Sequence, residues 1–90
     1  MIEQAPEATR RVPPRYPKEA RKAKIEGRVL LHVTIGADGA IGEVKVLESV
    51  PELDAAAIAS VREWEFAPAL DCWSNPVASS LDIPVRFKLD

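Results

Sequence analysis

The clearest signal along the chain is an alternation of apolar and polar residues in two segments. From Arg28 to Ile35 and again from Ser79 to Leu89, every second side chain is apolar. This period of two is typical of a β-strand that buries one face. The predicted buried residues are Val29, Leu31, Val33 and Ile35 in the first segment, and Leu81, Ile83, Val85, Phe87 and Leu89 in the second.

A further strand is predicted from Ala40 to about Ser49, joined to the first strand by a glycine-rich hairpin turn. Its apolar positions change parity, because Ile41 is odd whereas Val44 is even. A regular strand cannot bury both of these side chains on one face. The pattern predicts either a bulge near Gly42–Glu43, or Ile41 and Leu47 on the opposite face.

Two helices are predicted between the strands. The first runs from Lys18 to Ile25 and ends near Glu26–Gly27, and Pro17 is placed where a missing N–H costs nothing. The second runs from Pro51 to about Glu63. Its apolar residues recur at helical spacing at Leu53, Ala57, Val61 and Trp64.

The element order helix, strand, strand, helix, strand predicts an α+β fold. We expect two helices on one face of a three-stranded antiparallel or mixed sheet, with the first strand in the middle (order 2-1-3). The hairpin strands are antiparallel, and the helical crossover makes the second and third strands parallel in direction. This arrangement is a split β-α-β unit.

Two segments lack any periodicity. Residues 1–12 are predicted to be a flexible lead-in, which leaves residues 13–90 as the folded domain. Leu70 to Ala78 is predicted to be a turn-rich loop, and it contains Cys72 and Trp73.

Pro84 lies in the middle of the last predicted strand. Proline cannot donate a ladder hydrogen bond, so it is confined to edge strands with its nitrogen directed away from the sheet. The last strand is therefore predicted to be an edge strand. Its open side either accepts a partner strand or is merely protected against aggregation by Asp82, Arg86 and Lys88.

Composition narrows the class of protein. The 90 residues are 47% apolar with a net charge of −2, which is typical of one small globular domain. Neither a membrane-spanning run nor a signal peptide is visible, so we expect a cytoplasmic protein or a soluble fragment. The first 28 residues carry eight basic and four acidic side chains. This segment either attracts an acidic partner or membrane, or is simply a solvated helix face, and it lacks the aromatic residues of a nucleic-acid module.

Catalytic chemistry is not expected. The single cysteine, Cys72, excludes an internal disulfide framework, and His32 alone makes a metal site improbable. No motif places a base beside a nucleophile, so we reject an enzyme unless His32 and Cys72 prove adjacent. We expect no cofactor and no metal.

Several short motifs together resemble those of TonB C-terminal domains, and they occur in the same order between Pro13 and Leu89. They are Pro14-Arg15-Tyr16-Pro17, Ile25-Glu26-Gly27-Arg28-Val29, Ala37-Asp38-Gly39, Leu53-Asp54-Ala55-Ala56, Trp64-Glu65-Phe66-Ala67-Pro68 and Pro84-Val85-Arg86-Phe87. The resemblance implies the periplasmic domain of an energy transducer that is tethered to the inner membrane. In that family an inner-membrane ExbB–ExbD-like motor, driven by protons, acts through a preceding membrane helix and proline-rich spacer.

The resemblance also implies a partner and a site. Domains of this family bind the TonB box, a short peptide of an outer-membrane transporter, as an added strand beside their last strand, and pulling then remodels the transporter plug. Carried over to this sequence, the binding residues are Pro14, Arg15, Tyr16 and Pro17, together with Leu81, Asp82, Ile83, Pro84, Val85, Arg86, Phe87 and Lys88. The alternative is an envelope adaptor, not driven by a motor, that self-associates as a homodimer or recruits another protein through the same edge.

The sequence departs from the family pattern at two places. Lys24 stands where many relatives have the glycine that closes the first helix, and a lysine in left-handed geometry costs about 1 kcal/mol, so the helix end is expected to differ. Residues 71–75 replace a glycine-containing turn. Cys72 and Trp73 are interpreted first as a packed flap, with a dimer contact, an intermolecular disulfide or a partner site as alternatives.

Overall fold

The structure, a computed structural model, describes residues 3–89. Seven strands and two helices follow one another along this range. They are β1 (Glu7–Arg10), α1 (Lys18–Lys22), β2 (Gly27–Ile35), β3 (Ile41–Glu48), α2 (Asp54–Arg62), β4 (Glu65–Ala67), β5 (Ala69–Leu70), β6 (Pro76–Val77) and β7 (Ser79–Phe87). Neither helix has the length and apolarity needed to cross a bilayer.

The central sheet has three antiparallel strands in the order β3-β2-β7. The first predicted strand is therefore in the middle, and the predicted order 2-1-3 is confirmed. Since β2 is antiparallel to both neighbours, β3 and β7 run in the same direction on either side of it. The result is the split β-α-β unit of the predicted α+β fold.

The core lies on one face of this sheet. The predicted inward residues of β2 are at most 1% exposed, and Ile83, Val85 and Phe87 of β7 are 3–4% exposed. Leu53, at the start of α2, and Ala57 within the helix close the core from the helical side with no exposed area. The helical spacing in α2 and the period of two in β2 and β7 thus place apolar side chains on the two surfaces that face each other.

The predicted bulge on β3 is present. Val33 pairs with Val44 and Ile35 pairs with Ile41, so that β3 has one residue more than β2 in this interval. The N–H of Glu43 is satisfied by the Thr34 hydroxyl at 2.7 Å. Because of this extra residue, Ile41 and Val44 both pack against the core despite their different parity.

The predicted flexible lead-in is wrong for residues 7–10. This segment forms β1, which pairs antiparallel with β4, and Glu7 is opposite Ala67. Upstream, Gln4 and Leu70 exchange backbone hydrogen bonds of 2.9 and 3.0 Å. The sequence gives no signal for this strand, because Ala8 is the only one of its four residues that is half-buried and no apolar period results. A domain boundary at residue 13 stays a prediction.

Both helices are shorter than predicted. The second begins at Asp54 rather than Pro51, because the Asp54 carboxylate accepts the N–H of Val50 at 2.9 Å and holds residues 51–53 in a turn. The first ends at Lys22, and Lys24 then takes a left-handed conformation with φ of 56°. The expectation that Lys24 changes the helix end is therefore wrong.

The close of the first helix follows the pattern of a Schellman cap. The N–H of Ile25 donates to the carbonyl of Ala20 at 2.8 Å, and the N–H of Lys24 donates to that of Arg21 at 3.1 Å. Two otherwise unpaired carbonyls are satisfied in this way. The lysine occupies the glycine position and bears the conformational cost, since the two hydrogen bonds need that geometry.

Candidate strand-docking edge

One long side of β7 is open. Within residues 3–89, β7 pairs with β2 along nine consecutive residues from Gly27↔Phe87 to Ile35↔Ser79, and no strand pairs with its other side. The ladder has no bulge or register shift. We call this open side the β7 edge, and it is the feature predicted from Pro84.

The ladder also determines which backbone groups face outward. Leu30 is paired with Pro84 inside an unbroken antiparallel ladder. Because proline has no N–H, this pair belongs to the set that exchanges no hydrogen bonds, and the backbone of Pro84 faces away from β2. Alternate residues share this direction, so the N–H groups of Asp82 and Arg86 also face outward.

Side chains on β7 divide between two faces. Ile83, Val85 and Phe87 are buried and Leu81 is half-buried, all against the helices. The predicted binding residues Asp82, Pro84, Arg86 and Lys88 are exposed. The edge therefore has a rigid apolar support on one face and polar side chains on the other.

A hydrogen bond and an ion pair order the polar face of the sheet. The Asp82 carboxylate lies 2.6 Å from Nδ1 of His32 on β2. The guanidinium of Arg28 binds both carboxylate oxygens of Glu48 on β3 at 3.1 Å. Arg86 is opposite Arg28 in the ladder, and no ion pair of Arg86 occurs among the described residues.

Of the predicted tyrosine-proline segment, Tyr16 reaches β7. Its ring meets Phe87 edge-on, with centroids 5.5 Å apart and an interplanar angle of 87°. Its hydroxyl donates a short hydrogen bond to the carbonyl of Ile25. Burial, helped by the nearby Glu26 carboxylate, raises the pKa of Tyr16 above its ordinary value, against the opposing effect of Arg21. Tyr16 thus packs against the carboxyl end of β7 on the core face of the sheet.

The other residues of that segment lie elsewhere. Arg15 and Pro17 line a groove of about 770 Å³ against α2, together with Ala55 and Ala59. Pro14, which precedes Arg15 in the sequence, is half-buried. The structure therefore brings Tyr16, but not Arg15 or Pro17, to the residues predicted on β7.

Two features near the edge were missed by sequence analysis. At the amino end, a groove of about 270 Å³ separates residues 81–84 from Ala8, Arg11, Trp64 and Phe66. The Arg11 guanidinium lies 5.5 Å from the centroid of the Trp64 ring. No sequence signal pointed to this groove, because Ala8 and Arg11 on its far wall belong to the segment that was predicted to be flexible.

At the carboxyl end of the edge, basic side chains gather around a concavity of about 580 Å³. Arg21, Lys24 and Lys88 line it together with Tyr16 and Glu26. The Glu26 carboxylate accepts the N–H of Leu89 at 2.7 Å, which holds the end of the chain against the turn before β2. The concavity is thus more positive than negative.

The predicted packing of Cys72 and Trp73 is wrong. Both are exposed, and Trp73 retains 80% of its accessible surface. They lie in the connection between β5 and β6, where Oδ1 of Asp71 accepts the N–H groups of Trp73 and Asn75, each at 2.9 Å. The hydrogen bonds to Asp71 therefore form a turn in which the indole of Trp73 is left exposed.

Comparison with known proteins agrees with this architecture. Residues 12–89 match the family model described as Gram-negative bacterial TonB protein C-terminal. The Protein TonB of Vibrio cholerae is 40% identical over 82 residues, and that of Pseudomonas aeruginosa is 43% identical over 58 residues. The first match covers 88% of this chain and the second covers 62%. They cover only 33% and 17% of the two relatives, so this chain spans about a third of the length of the Vibrio cholerae protein and less of the Pseudomonas aeruginosa protein.

A solved structure shows the same fold. The solution NMR structure of the Pseudomonas aeruginosa TonB CTD superposes with a TM-score of 0.76 at 34% identity, covering 94% of this chain and 87% of the other. With the family model matched over nearly the whole chain, the sequence and the fold lead to one assignment. The chain belongs to the TonB C-terminal domain family.

Proposed function

We propose that this chain is the periplasmic C-terminal domain of a TonB-type energy transducer that binds the TonB box of an outer-membrane transporter. The box peptide adds to the β7 edge as a fourth strand. An inner-membrane ExbB–ExbD-like motor then pulls through the region that precedes the domain in the family. The bound strand transmits this force to the transporter plug.

The open and regular β7 edge is the observation that carries the proposal. Strand addition needs a row of outward N–H and C=O groups at constant spacing, and the nine-pair ladder with β2 keeps β7 regular over that length. Pro84 removes one donor from the centre of the row. A peptide therefore gains its backbone hydrogen bonds on both sides of this residue, at Asp82 and Arg86.

Charge supports an acidic peptide at the carboxyl end. Arg86, Lys88 and the neighbouring Lys24 are all exposed. Each exposed pair with a carboxylate contributes about 0.2–1 kcal/mol, and the contribution falls as salt rises. These side chains therefore orient the peptide, whereas the backbone of β7 supplies most of the affinity.

The geometry also suits a mechanical role. A strand that is loaded along its length shares the force among several hydrogen bonds, and β7 itself is held by β2 in the centre of the sheet. No reaction is required of the domain. His32 is bound to Asp82, whereas Cys72 lies in the loop after β5, so the condition for a nucleophile–base pair is not met among the described residues.

The alternative function is an envelope adaptor, not driven by a motor, that self-associates or recruits another protein through the same edge. One observation favours self-association. The β7 edge has no partner strand within residues 3–89, so it is equally open to the β7 edge of a second copy.

An NMR titration of the labelled chain with TonB-box peptides tests the proposal. We expect saturable shifts concentrated in residues 79–89, and no shifts along β3. The matched control is the same peptide with its central residue replaced by proline, because proline has no backbone N–H to donate to β7. Shifts that are absent, or spread equally over β3 and β7, would contradict the proposal. A rise in molecular mass to that of a dimer without peptide would support the adaptor.

A further inference from the structure

We infer that Trp73 is a second anchor on the same partner, and that it inserts into an apolar cavity of the folded body that carries the strand-forming peptide. This inference rests on the proposed function. It goes beyond it by assigning a contact outside the peptide. We call residues 71–75, which connect β5 and β6, the hairpin tip.

Hydrogen bonds order the backbone of the hairpin tip, although its tryptophan is 80% exposed. The Asp71 carboxylate accepts two backbone N–H groups, the N–H of Asp71 donates to the carbonyl of Asn75 at 3.0 Å, and Ser74 takes a φ of 63° to close the turn. The hydrogen bonds from Asn75 and from the Trp73 N–H lower the pKa of Asp71, against the effect of burial, so the carboxylate that organises the tip is charged at neutral pH. Because the backbone that carries Trp73 is already ordered, less backbone entropy is lost when the indole binds.

The base of the hairpin is fixed to the domain. Ala69 has no exposed surface, and Leu70 exchanges backbone hydrogen bonds with Gln4. The backbone of the hairpin is therefore held by hydrogen bonds at its base and at its tip. An exposed indole of this kind is typical of the residues that dominate binding energy at interfaces.

Continuity of the chain argues for the partner that lies on β7. Ala78 alone separates β6 from β7, so the hairpin leads directly into the amino end of the docking strand. Five residues lie between Trp73 and Ser79, and the six Cα–Cα steps that join the two residues span roughly 20 Å at most. A folded protein that carries the bound peptide is therefore within reach of the indole.

The chemistry of the tip selects an apolar cavity rather than a lipid surface. The polar backbone groups around Asp71 are largely used within the turn, which leaves the indole as the main contact. No lysine or arginine occurs between Asp71 and Val77, whereas attraction to anionic lipid needs such residues. The expected occupant is therefore protein.

Two ligands separate this contact from the β7 edge. The probes are a synthetic TonB-box peptide and the detergent-solubilised intact transporter that carries the same box. For the Trp73→Ala variant of the 90-residue chain, we expect the peptide Kd to stay within twofold and the transporter Kd to rise about tenfold, as for a central aromatic anchor. Leu47→Ala is the matched control, since Leu47 is 52% exposed but lies on β3, and it should change neither Kd.

Cys72 provides an independent readout, because it is the only cysteine and is exposed beside Trp73. A photo-crosslinker attached to its thiol should capture the intact transporter but not the peptide. An unchanged transporter Kd for Trp73→Ala overturns the inference, as does equal weakening of both ligands. Binding of the wild-type chain through Trp73 to phosphatidylethanolamine–phosphatidylglycerol vesicles also overturns it. If the peptide does not bind the wild-type chain at all, the proposed function itself fails.

Discussion

The two edges of the central sheet differ although both flank the same strand. On one side of β2, β7 pairs over nine residues without interruption, and on the other side β3 changes register twice within eight residues. At the first irregularity, a Cβ on Gly42 would lie 2.7 Å from the Thr34 hydroxyl, which itself accepts the N–H of Glu43. The β3 edge is thus irregular, and bulges of this kind protect an edge strand from pairing with a strand of another chain.

Backbone regularity, more than exposure of apolar side chains, thus distinguishes the edge on which we propose that a strand docks. β3 exposes Leu47 at 52%, but its backbone is not evenly spaced, and Glu43 and Lys45 form an ion pair of 3.2 Å along it. β7 buries its apolar side chains and leaves its backbone open. A partner strand therefore has one suitable edge in the described part of the sheet.

Proline substitutions at adjacent positions of β7 have the largest expected effects. Val85→Pro removes an inward N–H from the ladder and a side chain that is 4% exposed, so we expect the free energy of unfolding to fall by about 3 kcal/mol or more. Arg86→Pro removes an outward N–H, so we expect a stability change below about 1 kcal/mol but a loss of peptide affinity of at least about tenfold.

Chemical denaturation and calorimetric titration measure the two effects. Arg86→Ala is the control, because it removes the charge of Arg86→Pro but keeps the N–H group. Equal stability of Val85→Pro and Arg86→Pro would show that the assignment of inward and outward groups is wrong.

Tyr16→Phe tests the support beneath the carboxyl end of the β7 edge. The Ile25 carbonyl loses its donor, so we expect the melting temperature to fall by a few degrees. The raised pKa means that the hydroxyl stabilises the fold fully below about pH 10 and that this contribution is lost as the pH rises through the folded-state pKa. The gap in melting temperature between wild type and Tyr16→Phe should therefore close in strongly alkaline solution, whereas a constant gap contradicts the assigned hydrogen bond.

Lys24→Gly changes stability and binding in opposite directions. Relief of the left-handed lysine should raise the free energy of unfolding by up to about 1 kcal/mol. Loss of one basic side chain from the carboxyl end of the edge should weaken an acidic peptide slightly at low salt. Lys24→Ala is the control, because it loses the charge without relieving the backbone, and a stability gain for it as large as that for glycine would refute this explanation.

A charge reversal on β7 tests the electrostatic part of the proposal. Arg86→Glu should weaken an acidic box peptide by about two- to tenfold at low salt and by less at high salt. Lys45→Glu on β3 makes the same charge change on the other edge and should have a much smaller effect. Calorimetry at two ionic strengths measures both, and equal effects of the two variants would mean that only net charge matters.

The fold was predictable where burial leaves a period in the sequence. Alternation marked β2 and β7, the element order gave the sheet order, and the parity change at Ile41 indicated a bulge as one of two possibilities. Pro84 alone indicated that β7 is an edge strand. In each of these cases one side chain or one missing donor reports directly on the local geometry.

The rest was not predictable because backbone and capping interactions decide it. β1 is held by main-chain pairing with β4 and shows no apolar period. The start of α2 depends on which N–H the Asp54 carboxylate accepts, and the exposure of Trp73 depends on the turn around Asp71. The position of Arg15 in the groove beside α2 likewise depends on tertiary packing, which no local motif records.

Amide hydrogen exchange along β7 tests the central claim most directly. In the free chain, we predict slow exchange for the inward N–H groups of Leu81, Ile83 and Val85, and fast exchange for the outward groups of Asp82 and Arg86. A saturating box peptide should slow the outward groups and leave the amides of β3 unchanged. Outward amides that are already protected in the free chain, or that stay fast with peptide bound, would contradict the account.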